Sequence, residues 1–223
     1  MTPYYSDDLV TIYHGDCREW MPEADALVTD PPYGISAAKA NAHSSIRDND
    51  RWPVMAWDND RQPDALAMAL SGVRDAAVWG GNYYADVLPV SSGWLAWIKP
   101  EADSGFSLAD LELCWTNREM AARSRKAPRR DGALHPTQKP ATIMVWTLGF
   151  IRGDLILDPF MGSGSTLVAA KSLNRRAIGI EIEERYCEIA AQRCSQEVLD
   201  LSFSPPTAAS DADQLSLPST DAA

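Results

Sequence analysis

Two segments of this sequence hold residue types that could do chemistry together: Asp30-Pro31-Pro32-Tyr33, and Asp158-Pro159-Phe160-Met161-Gly162-Ser163-Gly164-Ser165-Thr166. The first suits the activation of an exocyclic amine on a nucleobase. Such a nitrogen is a weak nucleophile, because its lone pair is delocalised into the ring. Accepting hydrogen bonds from both amino protons would draw the nitrogen toward sp³ character and free the lone pair for a methyl donor. Asp30 offers one acceptor, with a negative charge where positive charge develops. The Pro31 carbonyl offers a second, rigidly placed because proline fixes φ and the residue before each proline is held extended. Pro32 stiffens the same turn, and Tyr33 offers an aromatic face on which an extruded base can stack. In isolation the tetrapeptide also reads as a plain turn at a strand end.

The second segment is a cofactor signal. A strand ending in Asp158 runs into Phe160-x-Gly162-x-Gly164-x-Thr166 and then a helix, the layout of a nucleotide-binding turn. Glycines there let the backbone approach a ligand in conformations that a Cβ would forbid. The spacing is neither the dinucleotide fingerprint, since Leu167 stands where Gly or Ala is needed, nor a P-loop, since no Gly-Lys-Ser/Thr follows. Glu181 ends the next strand, about 20 residues on, where a carboxylate could accept hydrogen bonds from ribose hydroxyls.

These residues need a frame to hold them, and the chain alternates strands with helices. Strands are expected at Val10 to His14, Ala26 to Thr29, Ala76 to Trp79, Asp154 to Asp158 and Arg176 to Glu181. Gly93 to Lys99 and Leu111 to Trp115 read as an antiparallel pair. Helices are expected over Asp64 to Val73, Pro140 to Phe150 with Pro140 in the first turn, Ser165 to Leu173, and Glu184 to Leu199. The pattern predicts an α/β fold with a mostly parallel sheet covered on both faces. Residues 35–62 and 117–134 read as loops; residues 200–223 read as a disordered acidic tail, leaving 1–199 as one domain.

No apolar run approaches the roughly 20 residues that span a bilayer, and the N-terminus lacks signal-peptide regions. Cys17, Cys114, Cys187 and Cys194 form no CxxC pair, which reads as reduced thiols in a cytoplasmic protein, without a metal site. Cys187 and Cys194 read as core residues, His14 as structural and His43 as inert; Trp52 and Trp57 read as anchors of their loop. The formal net charge of −11 opposes nucleic-acid binding, but five acidic residues and no Lys or Arg lie from Gln196 onward, leaving −6 for the rest. Arg118, Arg123, Arg125, Lys126, Arg129 and Arg130 concentrate positive charge in one stretch.

On these segments the chain resembles the amino-methylating DNA methyltransferases that act on adenine N6 or cytosine N4, in the circular permutation called the β group. There the DPPY tetrapeptide precedes the FxGxGxT turn, as here. His14-Gly15-Asp16-Cys17, Trp79-Gly80-Gly81-Asn82-Tyr83, Trp97-Ile98-Lys99-Pro100, Phe106 to Thr116 and His135-Pro136-Thr137-Gln138-Lys139-Pro140 resemble its other conserved segments. The resemblance implies a Rossmann-like, seven-stranded sheet with one antiparallel strand. It implies S-adenosylmethionine as the methyl donor, held by Asp16, Cys17, His135, Thr137, Gln138, Lys139, Asp158, Phe160, Gly162, Gly164, Thr166, Glu181 and Ile182, with its methyl group toward Asp30. Double-stranded DNA would be bound by the two loops, the basic residues mostly contacting phosphates and one or two arginines reading guanine. A homodimer and a cognate restriction endonuclease are further family-level partners.

Adenine N6 is the expected target, because cytosine-N4 members more often begin the tetrapeptide with Ser. Cytosine N4 is the first alternative, RNA or protein glutamine a second, and an inactive DNA-binding module of the same fold a third.

Overall fold

In the computed structural model, whose described residues are 1–35, 60–99, 109–128 and 139–196, short apolar runs make the strands of one sheet. They are β1 (Tyr5–Ser6), β2 (Val10–His14), β3 (Ala26–Thr29), β4 (Asp75–Trp79), β5 (Trp94–Ile98), β6 (Leu111–Thr116), β7 (Arg123–Lys126), β8 (Leu155–Asp158) and β9 (Arg176–Glu181). Helices are α1 (Pro63–Ser71), α2 (Ala141–Leu148), α3 (Ser165–Ser172) and α4 (Glu184–Ser195), with a 3₁₀ turn over Gly81–Tyr84.

The strand order is β1-β2-β9-β8-β3-β4-β6-β5-β7. The seven strands from β2 to β5 in that order are the expected sheet, parallel except for β6, which runs antiparallel to β4 and β5. The count of seven is corrected to nine among the described residues. β1 adds antiparallel to β2, and β7 adds parallel to β5 at the far edge. The expectation of a loop over 117–134 is corrected with it, because Arg123 to Lys126 is a strand. An Arg-Ser-Arg-Lys segment carries no apolar alternation to reveal a strand, yet charge is what protects a sheet edge from pairing with other chains.

Burial explains why the central strands read as continuous apolar runs. Val28 and Trp79 face one core with α2, α3 and α4, while Leu27 and Val78 face a second core with α1 and Tyr84. Every residue of β3 and of β4 is buried. Pro140 caps α2 rather than entering its first turn, with ψ at 136°, because its carbonyl accepts from Ile143 and Met144. The four cysteines are buried free thiols. The expectations for the tail, His43, Trp52 and Trp57 lie outside the described residues.

Two features position chemistry. The first strand of the seven, β2, lies beside β9, with His14 opposite Glu181, as the permuted order requires. The chain also moves outward from β3 to β4 on one side and from β8 to β9 on the other, so a crevice opens at the carboxyl ends of β3 and β8. Open α/β sheets bind ligands at such a switch point.

Candidate active site

At that crevice lies a cavity of about 260 Å³, walled by Asp16 and Cys17 after β2, Asp30 after β3, Phe160 to Ser163 after β8, and Glu181 and Ile182 after β9. Asp158 sits under the glycine-rich turn. Its Oδ1 accepts from the Thr29 hydroxyl at 2.7 Å and the Phe160 N–H at 3.2 Å, and Thr166 also hydrogen-bonds it. Burial nevertheless pushes Asp158 up to about 6. Glu181 accepts from the N–H groups of Gly162 at 3.0 Å and Glu183 at 2.8 Å, and burial pushes it up to about 7. From behind, Arg193 of α4 donates to the Ser163 carbonyl and to its Oγ at 3.1 Å, fixing the turn's course.

Asp30 stands where the cavity meets the ends of β3 and β4 and the start of β6. Its Oδ1 accepts from the Tyr33 hydroxyl at 2.5 Å, and its Oδ2 pairs with Lys139 Nζ at 2.6 Å. Burial raises the Asp30 pKa and the Lys139 charge opposes that rise. Lys139 also reaches the Tyr33 oxygen at 2.9 Å and Glu112 Oε2 at 2.8 Å, while Glu112 Oε1 pairs with Lys99. Burial would raise Glu112, but the two lysines hold it down at about 2. The Tyr33 ring stacks on Tyr83 with centroids 4.8 Å apart. The Tyr84 hydroxyl donates to the Pro32 carbonyl at 2.5 Å, anchoring the tetrapeptide through its second proline.

The structure therefore gathers Asp16, Cys17, Asp30, Lys139, Asp158, Phe160, Gly162, Thr166, Glu181 and Ile182 around one cavity. Gly164 does not line it but packs on α4, where a Cβ would lie 2.8 Å from that of Ala190. His135, Thr137, Gln138, Arg129 and Arg130 lie outside the described residues. Arg123, Arg125 and Lys126 form the β7 edge, whereas Arg118 sits at the opposite end of the sheet from Asp30, 3.2 Å from the buried Asp75. Lys139, expected from the resemblance beside the donor, makes its ion pairs with Asp30 and Glu112. Sequence reasoning did not single out Glu112, Lys99, Tyr84 or Arg193. For Glu112 a signal existed, a carboxylate among the apolar residues of Leu111-Glu112-Leu113-Cys114-Trp115.

Residues 77–192 match the family model described as DNA methylase, of the N6/N4 type. Among curated proteins, the Type II methyltransferase M2.DpnII of Streptococcus pneumoniae is 49% identical over 99 residues, 44% of this chain and 34% of that protein. The Type II methyltransferase M2.LlaDCHI of Lactococcus lactis subsp. cremoris is 47% identical over 98 residues, 43% of this chain and 34% of that protein. Each match thus spans about a third of the relative's length. Among solved structures, the M1.HpyAVI–SAM complex covers 84% of this chain and 100% of its own at 24% identity, with a TM-score of 0.60. The cytosine-N4-specific PvuII DNA methyltransferase covers 91% and 90% at 17% identity, with a TM-score of 0.58. Both share the fold.

Proposed function

Because the chain belongs to the DNA methylase family, whose model matches residues 77–192, we propose that it methylates the N6 amine of adenine in DNA with S-adenosylmethionine as donor. One cavity that joins Asp30 to the glycine-rich turn and to Glu181 supports this reading best. The residues present fit the donor. A Cβ on Gly162 would meet nothing within 4 Å, so the turn leaves room for a ligand against its backbone. Glu181 offers a carboxylate to ribose hydroxyls, Asp16 an acceptor after the neighbouring strand β2, and Phe160, Met144 and Ile182 apolar surface. When bound, the donor supplies an electrophilic methyl group.

The chain's own part is to shape the nucleophile. Asp30 accepts one amino proton's hydrogen bond and the Pro31 carbonyl the other, leaving the lone pair directed into the cavity. Asp30 Oδ1 gives up the Tyr33 hydroxyl, 2.5 Å away, to take the substrate amine. The negative charge then stabilises positive charge developing on the nitrogen. The proton leaves to solvent after transfer, so no general base of raised pKa is needed. Tyr33 and Tyr83 provide an aromatic stack next to which an extruded base can lie.

DNA, which the −11 net charge would repel overall, approaches along the basic β7 edge. The relatives' names as Type II methyltransferases support a cognate endonuclease as a partner, and buried free thiols suit a cytoplasmic setting. A homodimer is the family-level expectation.

Incubation with radiolabelled donor and DNA, followed by digestion to nucleosides, tests the reading. Labelled N6-methyladenosine is expected; labelled N4-methylcytidine would move the target to cytosine, and no transfer across varied DNA would leave an inactive module. Asp30→Ala should abolish transfer while donor binding persists. Loss of donor binding in that variant would remove Asp30 from the amine-activating role.

A further inference from the structure

Four charged side chains alternate in sign through the wall behind Asp30: Asp30, Lys139, Glu112 and Lys99, each paired with the next. They come from separate parts of the chain, the ends of β3 and β5, the start of β6 and the residue before Pro140. Because β6 runs antiparallel, its first residues lie at the same sheet edge as the last residues of β3, β4 and β5. That is where Glu112 can reach both lysines. Lys99 and Lys139 side chains are each 5% exposed, and Glu112 and Asp30 side chains 24%. The Lys139 ammonium has three N–H groups and three partners, Asp30, Glu112 and the Tyr33 oxygen.

We propose that Glu112 and Lys99 are positioning residues for Asp30, acting through Lys139, and that they divide the lysine between two carboxylates so that Asp30 can still accept the substrate amine. The inference rests on the amine-activating role of Asp30 proposed above. A buried ammonium with a single carboxylate partner would clamp it, and the amine would have to compete with a full ion pair. Glu112 draws the ammonium partly away. Lys99 in turn offsets Glu112, which would otherwise leave two carboxylates sharing the single positive charge of Lys139. Each member thus acts on Asp30 with a sign set by its place in the series, a pattern that packing alone would not produce.

Among the described residues, the titratable groups facing Asp30 are Tyr33 on its own segment, Lys139, Glu112 and Cys114 of β6, and Asp158 of β8, with Lys99 beyond Glu112. Burial raises the thiol of Cys114 and the hydroxyl of Tyr33 well above their ordinary values, so both stay neutral near pH 7. Burial pushes Asp158 up to about 6, and the charge of Asp30 adds to the rise. Neutralising Glu112 removes a negative charge that raises Asp30, so Asp30 titrates lower. Neutralising Lys99 leaves Glu112 unopposed, so Asp30 titrates higher.

The test is made on the full chain with Glu112→Gln, Glu112→Asp and Lys99→Met. Transfer to DNA is measured against pH, donor binding by calorimetry, and the Asp30 carboxyl by carbon-13 NMR titration. Glu112→Gln should lower kcat on the order of 10²-fold, leave donor affinity unchanged, and move the Asp30 titration to lower pH. Glu112→Asp should recover part of kcat, and Lys99→Met should move the titration to higher pH. Shifts of the same sign, or no shift with kcat falling only as the protein melts, would overturn the proposal. If Glu112→Gln does not fold, the sign of the Lys99→Met shift decides alone. A wild type that transfers nothing to DNA would sink the proposed function, while the NMR shifts would still judge the charge series separately.

Discussion

Glu181 carries its carboxyl into the cavity wall, and burial pushes it up to about 7 although the N–H groups of Glu183 and Gly162 favour the ionised form. A donor whose hydroxyls bond the carboxylate favours ionisation further, so binding should lower this pKa and release protons. Donor affinity is expected to rise with pH toward about 7 and flatten above it. Calorimetry just below pH 7, in buffers of different ionisation heat, should register the released protons, and Glu181→Gln should remove them. Proton release unchanged in that variant would assign it to Asp158, which titrates near 6 in the same cavity. The folding linkage has the opposite slope to that of a paired acid. A folded-state value raised from 4.5 to about 7 means that this group's contribution to stability is fully present below 4.5 and lost as pH rises through about 7. Glu181 was legible in the sequence because it ends a strand at a fixed distance from a glycine-rich turn. Glu112 stood out only as a carboxylate among apolar residues; its role was not legible, because it lies in two lysines, 13 residues before it and 27 after it, that only the sheet brings together.

At the scale of elements, β8, the turn and α3 form one unit, and its two glycines do different work. Gly162 has φ of +50° and open space at its Cβ position, on the cavity side. Gly164 has φ of +79° at the cap of α3, and its Cβ would press on Ala190 of α4. The sequence showed both as one motif, since spacing cannot say which side of a turn a helix will cover. Gly164→Ala should lower stability by more than the roughly 1–2 kcal/mol of left-handed strain, because α4 must also shift, with donor affinity nearly kept in the folded fraction. Gly162→Ala should cost about the strain alone but weaken donor binding. Thermal melts and donor titrations of the two variants separate the roles; equal losses of affinity at equal stability would make them a single cofactor element after all.

At the scale of the whole molecule, much of the architecture was readable because central parallel strands are buried on both faces. β2, β3 and β9 appear at the residues expected, and β2 pairs with β9. The edges were not readable. β1 is two residues long, and β7 is made of charges, so neither carries a periodicity. This bears on the proposed approach of DNA to an acidic protein. Among the described residues, the basic stretch read from the sequence as one patch is divided by the fold between two ends of the sheet. Arg118 belongs to the end remote from Asp30, where it and Arg152 satisfy Asp75. Lys126 lies opposite Ile98, next to Lys99 and at the same end of the sheet as Asp30, with Arg125 and Arg123 further along the strand. Phosphate contacts are therefore expected from Lys126 and its β7 neighbours rather than from Arg118. Lys126→Ala should weaken DNA binding about equally across sequences and reduce the slope of log affinity against log salt by about 1. Arg118→Ala should leave that slope unchanged and instead lower stability by about 1–3 kcal/mol, as a buried carboxylate loses a partner. Fluorescence anisotropy at several salt concentrations, with melts of both variants, decides between them. A salt slope that drops for Arg118→Ala and not for Lys126→Ala would put the DNA on the other end of the sheet, away from the residues proposed to activate the amine.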